Sequence, residues 1–209
     1  MNDRTAEVQR WNEMYAGDEH RWSGQANTAL VSETADLPPG RVLDLGSGEG
    51  GDALWFAAHG WQVTAVDLSA VALGRARTRS AEAGLDDRIQ WRELDLATDF
   101  PDGEYDLVSA QFLHSWGDLP REEVLRKAAD AVAPGGTLLV ESHCGVPAWE
   151  TDPHPDVHFP TPQEVLDSLG LPDGEWDVQV CAEHERTQTG PDGTDTTRID
   201  STVKVRRLP

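Results

Sequence analysis

The chain has 209 residues, enough for one domain with a sizeable core. Hydrophobic residues make up 38% and charged residues 26%, a globular rather than a disordered composition. Lys and Arg number 17 against 38 Asp and Glu; the formal charge of −21 argues against tight binding to nucleic acid, whose phosphates must be met by many cations. No apolar run approaches the ~18 residues that span a membrane. The start, Met1-Asn2-Asp3-Arg4, leads into a polar stretch without a secretory signal. Two cysteines, Cys144 and Cys181, make no disulfide framework, so a cytoplasmic protein is expected.

In chain order, residues 3–16 read as a helix with Val8, Trp11, Met14 and Tyr15 near one face. A polar stretch follows, then a second helix over about 28–36. Arg41–Leu45 reads as a strand, and 52–59 as a helix stopped by Gly60. Trp61–Val66 is a second strand, and 70–83 a helix with Ser69 as its N-cap and Gly84 just past its end. Ile89–Glu93 and 105–110 are the third and fourth strands. A helix over about 119–132 opens near Pro120 and is broken by Pro134-Gly135-Gly136, after which Thr137–Ser142 is a fifth strand. Such alternation predicts an α/β fold with a parallel sheet and helices on both faces. Residues 143–160 read as a long ordered loop, a kind commonly functional in compact domains, and 161–169 as a short helix. Then 175–185 and 196–207 form a hairpin about the turn 189–193.

The run Val42-Leu43-Asp44-Leu45-Gly46-Ser47-Gly48-Glu49-Gly50-Gly51 is a strand, a glycine turn and the start of a helix. Glycine admits φ > 0 and lets backbone approach a nucleotide closely. Gly46, Gly48 and Gly51 fit G-x-G-x-x-G, and Asp67 ends the second strand where a ribose-binding acid belongs. That pattern alone is compatible with a dinucleotide. Asp44 and Glu49 would repel a pyrophosphate, however, and a hairpin stands where a second mononucleotide half would be built. A cationic ligand suits the acids better.

Taken together, these segments resemble the class I S-adenosylmethionine-dependent methyltransferases. Residues 42–50 are similar to their first motif, D-x-G-x-G-x-G, with Asp44, Gly46, Gly48 and Gly50. Val63–Ser69 resembles the second and Glu93-Leu94-Asp95-Leu96 the third. Tyr105–Ala110 and Val132–Val140 resemble the fourth and fifth. The resemblance implies a Rossmann-like sheet of order 3-2-1-4-5-7-6 with strand seven antiparallel. It also implies a sulfonium cofactor without phosphate, S-adenosyl-L-methionine. Asp44 would then serve its amino end, Asp67 the ribose and Asp95 the adenine, with Ser47 in the cradle. Leu68 and Leu96 either sandwich the adenine or belong to the core. A finer likeness, carried by Trp11–Tyr15, Trp22 and Gln111-Phe112-Leu113-His114, is to small tellurite-resistance and thiopurine methyltransferases.

On this reading residues 1–37 form a helical lid, 41–142 the cofactor core and 143–209 the acceptor side. Trp11, Tyr15, Trp22 and Trp116 flank the cleft, serving either packing or attraction to a cation. Gln111 follows the fourth strand and is expected at the cofactor. His114, close behind it, is the candidate general base or else a structural histidine. His143, Cys144, His154 and His158 match no zinc signature, so no metal is expected. No Asn-Pro-Pro-Tyr follows strand four, which removes the usual cue for nucleobase amines. A small-molecule methyltransferase is the expectation. A non-catalytic cofactor-binding domain and an NAD-type oxidoreductase are its rivals.

Overall fold

The computed structural model describes residues 3–17, 21–115, 117, 119–147, 149, 158–190 and 192–209. Its centre is one seven-stranded sheet: β1 (Arg41–Leu45), β2 (Gln62–Asp67), β3 (Ile89–Glu93), β4 (Tyr105–Gln111), β5 (Val132–His143), β6 (Trp176–Thr189) and β7 (Asp195–Arg207). The order is β3-β2-β1-β4-β5-β7-β6, with β1 to β5 parallel and β7 antiparallel to both its neighbours. The expected topology is therefore met.

Helices cover both faces: α1 (Asp3–Tyr15), α2 (Thr28–Thr34), α3 (Gly51–Ala58), α4 (Ala70–Ala83), α5 (Arg121–Asp130) and α6 (Pro162–Ser168). The central strand β1 is buried on both sides, so it reads as a continuous apolar run rather than an alternation. Leu43 and Leu45 enter one core with Val124, Leu125 and Val165 of α5 and α6. Val42 enters the other with Leu30, Phe56 and Trp61. Helix ends follow their local chemistry. Ser69 accepts from the Ala72 N–H, Gly84 takes φ +66, and Thr161 with Glu164 closes a capping box.

Two local expectations change. Helix α5 ends at Asp130 and β5 starts at once, because Pro134-Gly135-Gly136 forms a bulge inside the strand instead of preceding it. Tyr105 pairs with Val132 and Leu107 with Thr137, and Gly135 carries φ +81. Helix α1 inters a more polar face than expected: Glu7 and Tyr15 are buried, with Arg4, Trp11 and Asn12 half-buried. It lies over strand ends, where backbone and carboxylates are the partners. Asn12 accepts from the Ser69 hydroxyl at 2.7 Å, and Arg4 pairs with Asp95.

Candidate active site

The carboxyl ends of β1, β2 and β4 converge where an open α/β sheet binds ligands. Gly46, Gly48 and Gly50 have φ of +73°, +51° and +80°. The third left-handed glycine is therefore Gly50, which separates D-x-G-x-G-x-G from G-x-G-x-x-G. Gly51 opens α3 in ordinary geometry, yet a Cβ there would stand 2.6 Å from the Gln25 carbonyl. The Gly46 and Ser47 amides donate to the Val66 carbonyl at 2.9 Å, tying the turn to β2. Asp67 receives the Gly48 and Ser69 amides, each at 2.8 Å, which fixes its carboxylate at the end of β2.

Asp44 is 2% exposed, and its Oδ2 has no hydrogen-bond partner. Burial, followed by the carboxylates of Asp52 and Asp67, pushes its pKa well above the ordinary range. A buried acid so placed is stabilised as an anion only when a cation or donor reaches it. Ser47 Oγ, Gln111 Oε1 and His114 Nε2 are likewise buried without partners. Asp44 and Ser47 stand at the start of the glycine turn, and their unpartnered oxygens fit a ligand that brings an ammonium and further donors.

Glu49 serves differently from the expectation. Its buried carboxylate pairs with Arg75 at 2.8 Å and accepts the Arg21 and Trp22 amides at 3.0 and 3.3 Å. Arg79 adds bonds to the Glu49 and Gly24 carbonyls. Asp52 takes the Asn27 amide and side chain, both at 2.7 Å. The helix α4 arginines and these acids hold Gly17 and residues 21–27 over the turn, so Glu49 acts within the fold rather than on a ligand.

Asp67, Leu68, Leu96, Gly46, Trp11 and His114 line one cavity. Asp95 lines it too, but Arg4 already holds this carboxylate through Nε at 2.9 Å and through a second nitrogen. The cavity encloses about 60 Å³, far below the roughly 300–1,000 Å³ of ligand sites. A nucleoside enters only if Arg4 releases Asp95 or α1 moves outward. Trp11 donates to Glu7 at 2.9 Å and Ser115 at 3.3 Å. Trp22 corrects its expected place: its ring is 55% exposed, outside the cavity lining, and bonds the Tyr15 hydroxyl at 3.1 Å. Trp116 and His154 lie outside the described residues.

His114 lines the cavity as expected, but its surroundings do not suit a base. Burial first, then Arg121, lowers its pKa to about 3. The ring is neutral at physiological pH and is suited to hydrogen bonding rather than to holding a proton. Among the described residues, no cluster of three or more His, Cys, Asp or Glu is placed to hold a metal ion. Sequence reasoning missed the half-buried Arg121 and the buried Asp200. They adjoin the site only through pairing of β5 with β7 and packing of α5.

Comparison with known proteins agrees with this geometry. Residues 42–136 match the family described as "Methyltransferase domain". The chain is 33% identical over 141 residues to 27-O-demethylrifamycin SV methyltransferase of Amycolatopsis mediterranei, covering 64% of this chain and 51% of that protein. The aligned stretch thus spans about half the relative's length. Among solved structures, the N-methyltransferase NodS from Bradyrhizobium japonicum, in complex with S-adenosyl-L-homocysteine, superposes with TM-score 0.70 at 17% identity, covering 97% and 99% of the two chains. TehB from Haemophilus influenzae superposes at 0.68 with 16% identity, covering 97% and 67%, a likeness of fold alone. By sheet order, glycine turn and the match of residues 42–136, the chain has the fold of the class I S-adenosylmethionine-dependent methyltransferases and is similar to members of that family.

Proposed function

We propose that the chain transfers a methyl group from S-adenosylmethionine to a small-molecule nucleophile. The observation that carries this is Asp44, buried at the glycine turn with an unpartnered oxygen and a strongly disfavoured charge. The cofactor brings an ammonium and a sulfonium and no phosphate, so it relieves that charge where NAD would aggravate it. In this reading Asp44 receives the ammonium and Asp67 the ribose hydroxyls, with Leu68 and Leu96 against the adenine. Ser47 and Gln111 add polar contacts. Asp95 turns from Arg4 to the adenine amine as α1, with Trp11, settles as a lid. When bound, the cofactor supplies an activated methyl group, and the protein's task is to hold the acceptor in line and exclude water.

A small acceptor is supported by the relative that methylates a rifamycin and by the charge of −21, which opposes an RNA backbone. The finer tellurite-resistance and thiopurine likeness is an expectation from sequence alone and names no acceptor. Calorimetry with S-adenosylmethionine, followed by transfer to a panel of thiols, phenols and amines, tests the proposal. Binding and transfer support it. Binding without transfer to any acceptor favours a non-catalytic cofactor-binding domain, and binding of NAD instead would refute both.

A further inference from the structure

We infer that His143, held by Asp200, takes the acceptor's proton and that the acceptor is an acidic hydroxyl compound, a phenol or enol. This rests on the methyltransferase reading above. His143 ends β5, and its ring lies between two others. Phe112 stacks on it at 4.4 Å and His114 at 5.3 Å, with interplanar angles of 26° and 15°. Phe112 reaches this position in a left-handed backbone conformation, φ 51°, the only non-glycine positive φ among the described residues. Strain of this kind persists where surrounding structure enforces it, often at functional sites.

His143 Nδ1 lies 2.8 Å from Oδ1 of Asp200, which is fully buried. The acid therefore fixes the tautomer with the proton on Nδ1 and leaves Nε2 to accept one. Other charged and titratable groups face this pair from every neighbouring strand. Arg198 on β7 lies 3.8 Å from Asp200, and Arg186 on β6 pairs with the other oxygen of Asp200. His184 on β6 engages Glu141 of β5, and His114 stacks from the loop after β4. Burial and the two arginines lower the His143 pKa, so the ring rests neutral, while its hydrogen bond to Asp200, which His114 lacks, supports the protonated form when a proton arrives.

The same surroundings select the acceptor. Arg121 of α5 is half-buried, and it binds neutral oxygens: the Leu113 carbonyl at 3.1 Å and the Ser142 hydroxyl at 2.6 Å. With Arg186 and Arg198 it makes this corner cationic in a chain of charge −21. An amine arriving as an ammonium is repelled here, whereas an oxygen gaining negative charge is stabilised. A thiol forms its anion readily, but a hydroxyl needs a base. The acceptor O–H proton passes to His143 Nε2, and the oxygen electron pair forms the bond to the methyl carbon. The carbon–sulfur bond breaks with its pair going to sulfur. The proton then leaves His143 for solvent, and Asp200 stabilises the imidazolium in between.

The test uses 4-nitrophenol, which is yellow only as the phenolate, titrated against pH with the full chain and saturating S-adenosylhomocysteine. In the wild type, bound nitrophenol is expected to ionise about one pH unit below the free compound, a tenfold shift in that equilibrium. His143→Asn keeps an amide where Nδ1 stands and removes Nε2; with the arginines still in place it should bind nitrophenol and keep only the smaller part of the shift. Asp200→Asn, a second variant that spares the ring, should lose part of it. Nitrophenol that fails to bind or shift in the wild type, or that shifts equally in His143→Asn, overturns the inference. Calorimetric titration of S-adenosylhomocysteine alone separates the two readings. If it fails to bind, the methyltransferase reading falls; if it binds, only the role of His143 is at stake.

Discussion

The two halves of the sheet's carboxyl edge hold their polar groups in opposite ways. At β1 and β2 the acids lie at strand ends 23 residues apart in sequence, and nearby backbone amides fix Asp67: Gly48 across 19 residues and Ser69 across two. At β4, β5, β7 and β6 the groups come from distant parts of the chain: His143 to Asp200 across 57 residues, Glu141 to Thr202 across 61. The first half is net acidic and shaped for a cation. The second gathers arginines and histidines about two acids. On the proposed reading a cationic donor would be drawn to the first half and an anionic nucleophile to the second.

Substitution at Asp44 should break the first half most severely. Asp44→Asn is expected to weaken S-adenosylmethionine by roughly 10- to 100-fold, the 1.5–3 kcal/mol of a charge-assisted hydrogen bond. The ligand-free variant should be more stable than wild type. Asp44 has a raised folded pKa, so at neutral pH the unfolded chain gives up its proton more readily than the native one, and stability falls as pH rises. Urea titrations of the two proteins at neutral pH would show this.

Glu49→Ala should be next in size, at about 2 kcal/mol. That is below the range for a fully buried pair because Arg75 is partly exposed. Its effect should localise: limited proteolysis should cut within residues 21–27 in the variant and spare them in the wild type.

In the second half, Glu141 is fully buried between His184 and Thr202, and burial raises its pKa to about 7 despite both partners. A raised folded pKa gives stability that is complete below the ordinary value near 4.5 and is lost as pH rises through about 7. Glu141→Gln should flatten the melting temperature across that window; a slope equal to wild type would place the titration elsewhere. The smallest effect belongs to Arg4→Ala. A half-exposed pair is worth at most about 1 kcal/mol, so freeing Asp95 should tighten S-adenosylhomocysteine binding by a few-fold. Weaker binding would make Arg4 a clamp on the ligand instead of a gate before it.

Sheet order, the glycine turn and the strand-end acids were legible because each is a local signal: an apolar run, a glycine at a left-handed position, an acid closing a strand. Where the sequence misled, the partner was remote. Glu49 reads as a charge in a ligand turn, and only packing of residues 21–22 against it shows otherwise. Arg75 and Arg79 of α4 turn inward onto Glu49 and the carbonyls of Gly17 and Gly24, while Arg77 stays exposed. His114 carries the right side chain at the right strand end. Its burial beside Arg121, which no spacing reveals, takes away its basicity. Asp200 gave no signal, since its role exists only once β7 pairs with β5.

Calorimetric titration of S-adenosylmethionine and, separately, NAD into the wild type and Asp44→Asn tests the central claim most directly. The account predicts one molecule of S-adenosylmethionine per chain, weakened at least about tenfold in the variant, and no binding of NAD. Equal affinity in the two proteins, or preference for NAD, would contradict it.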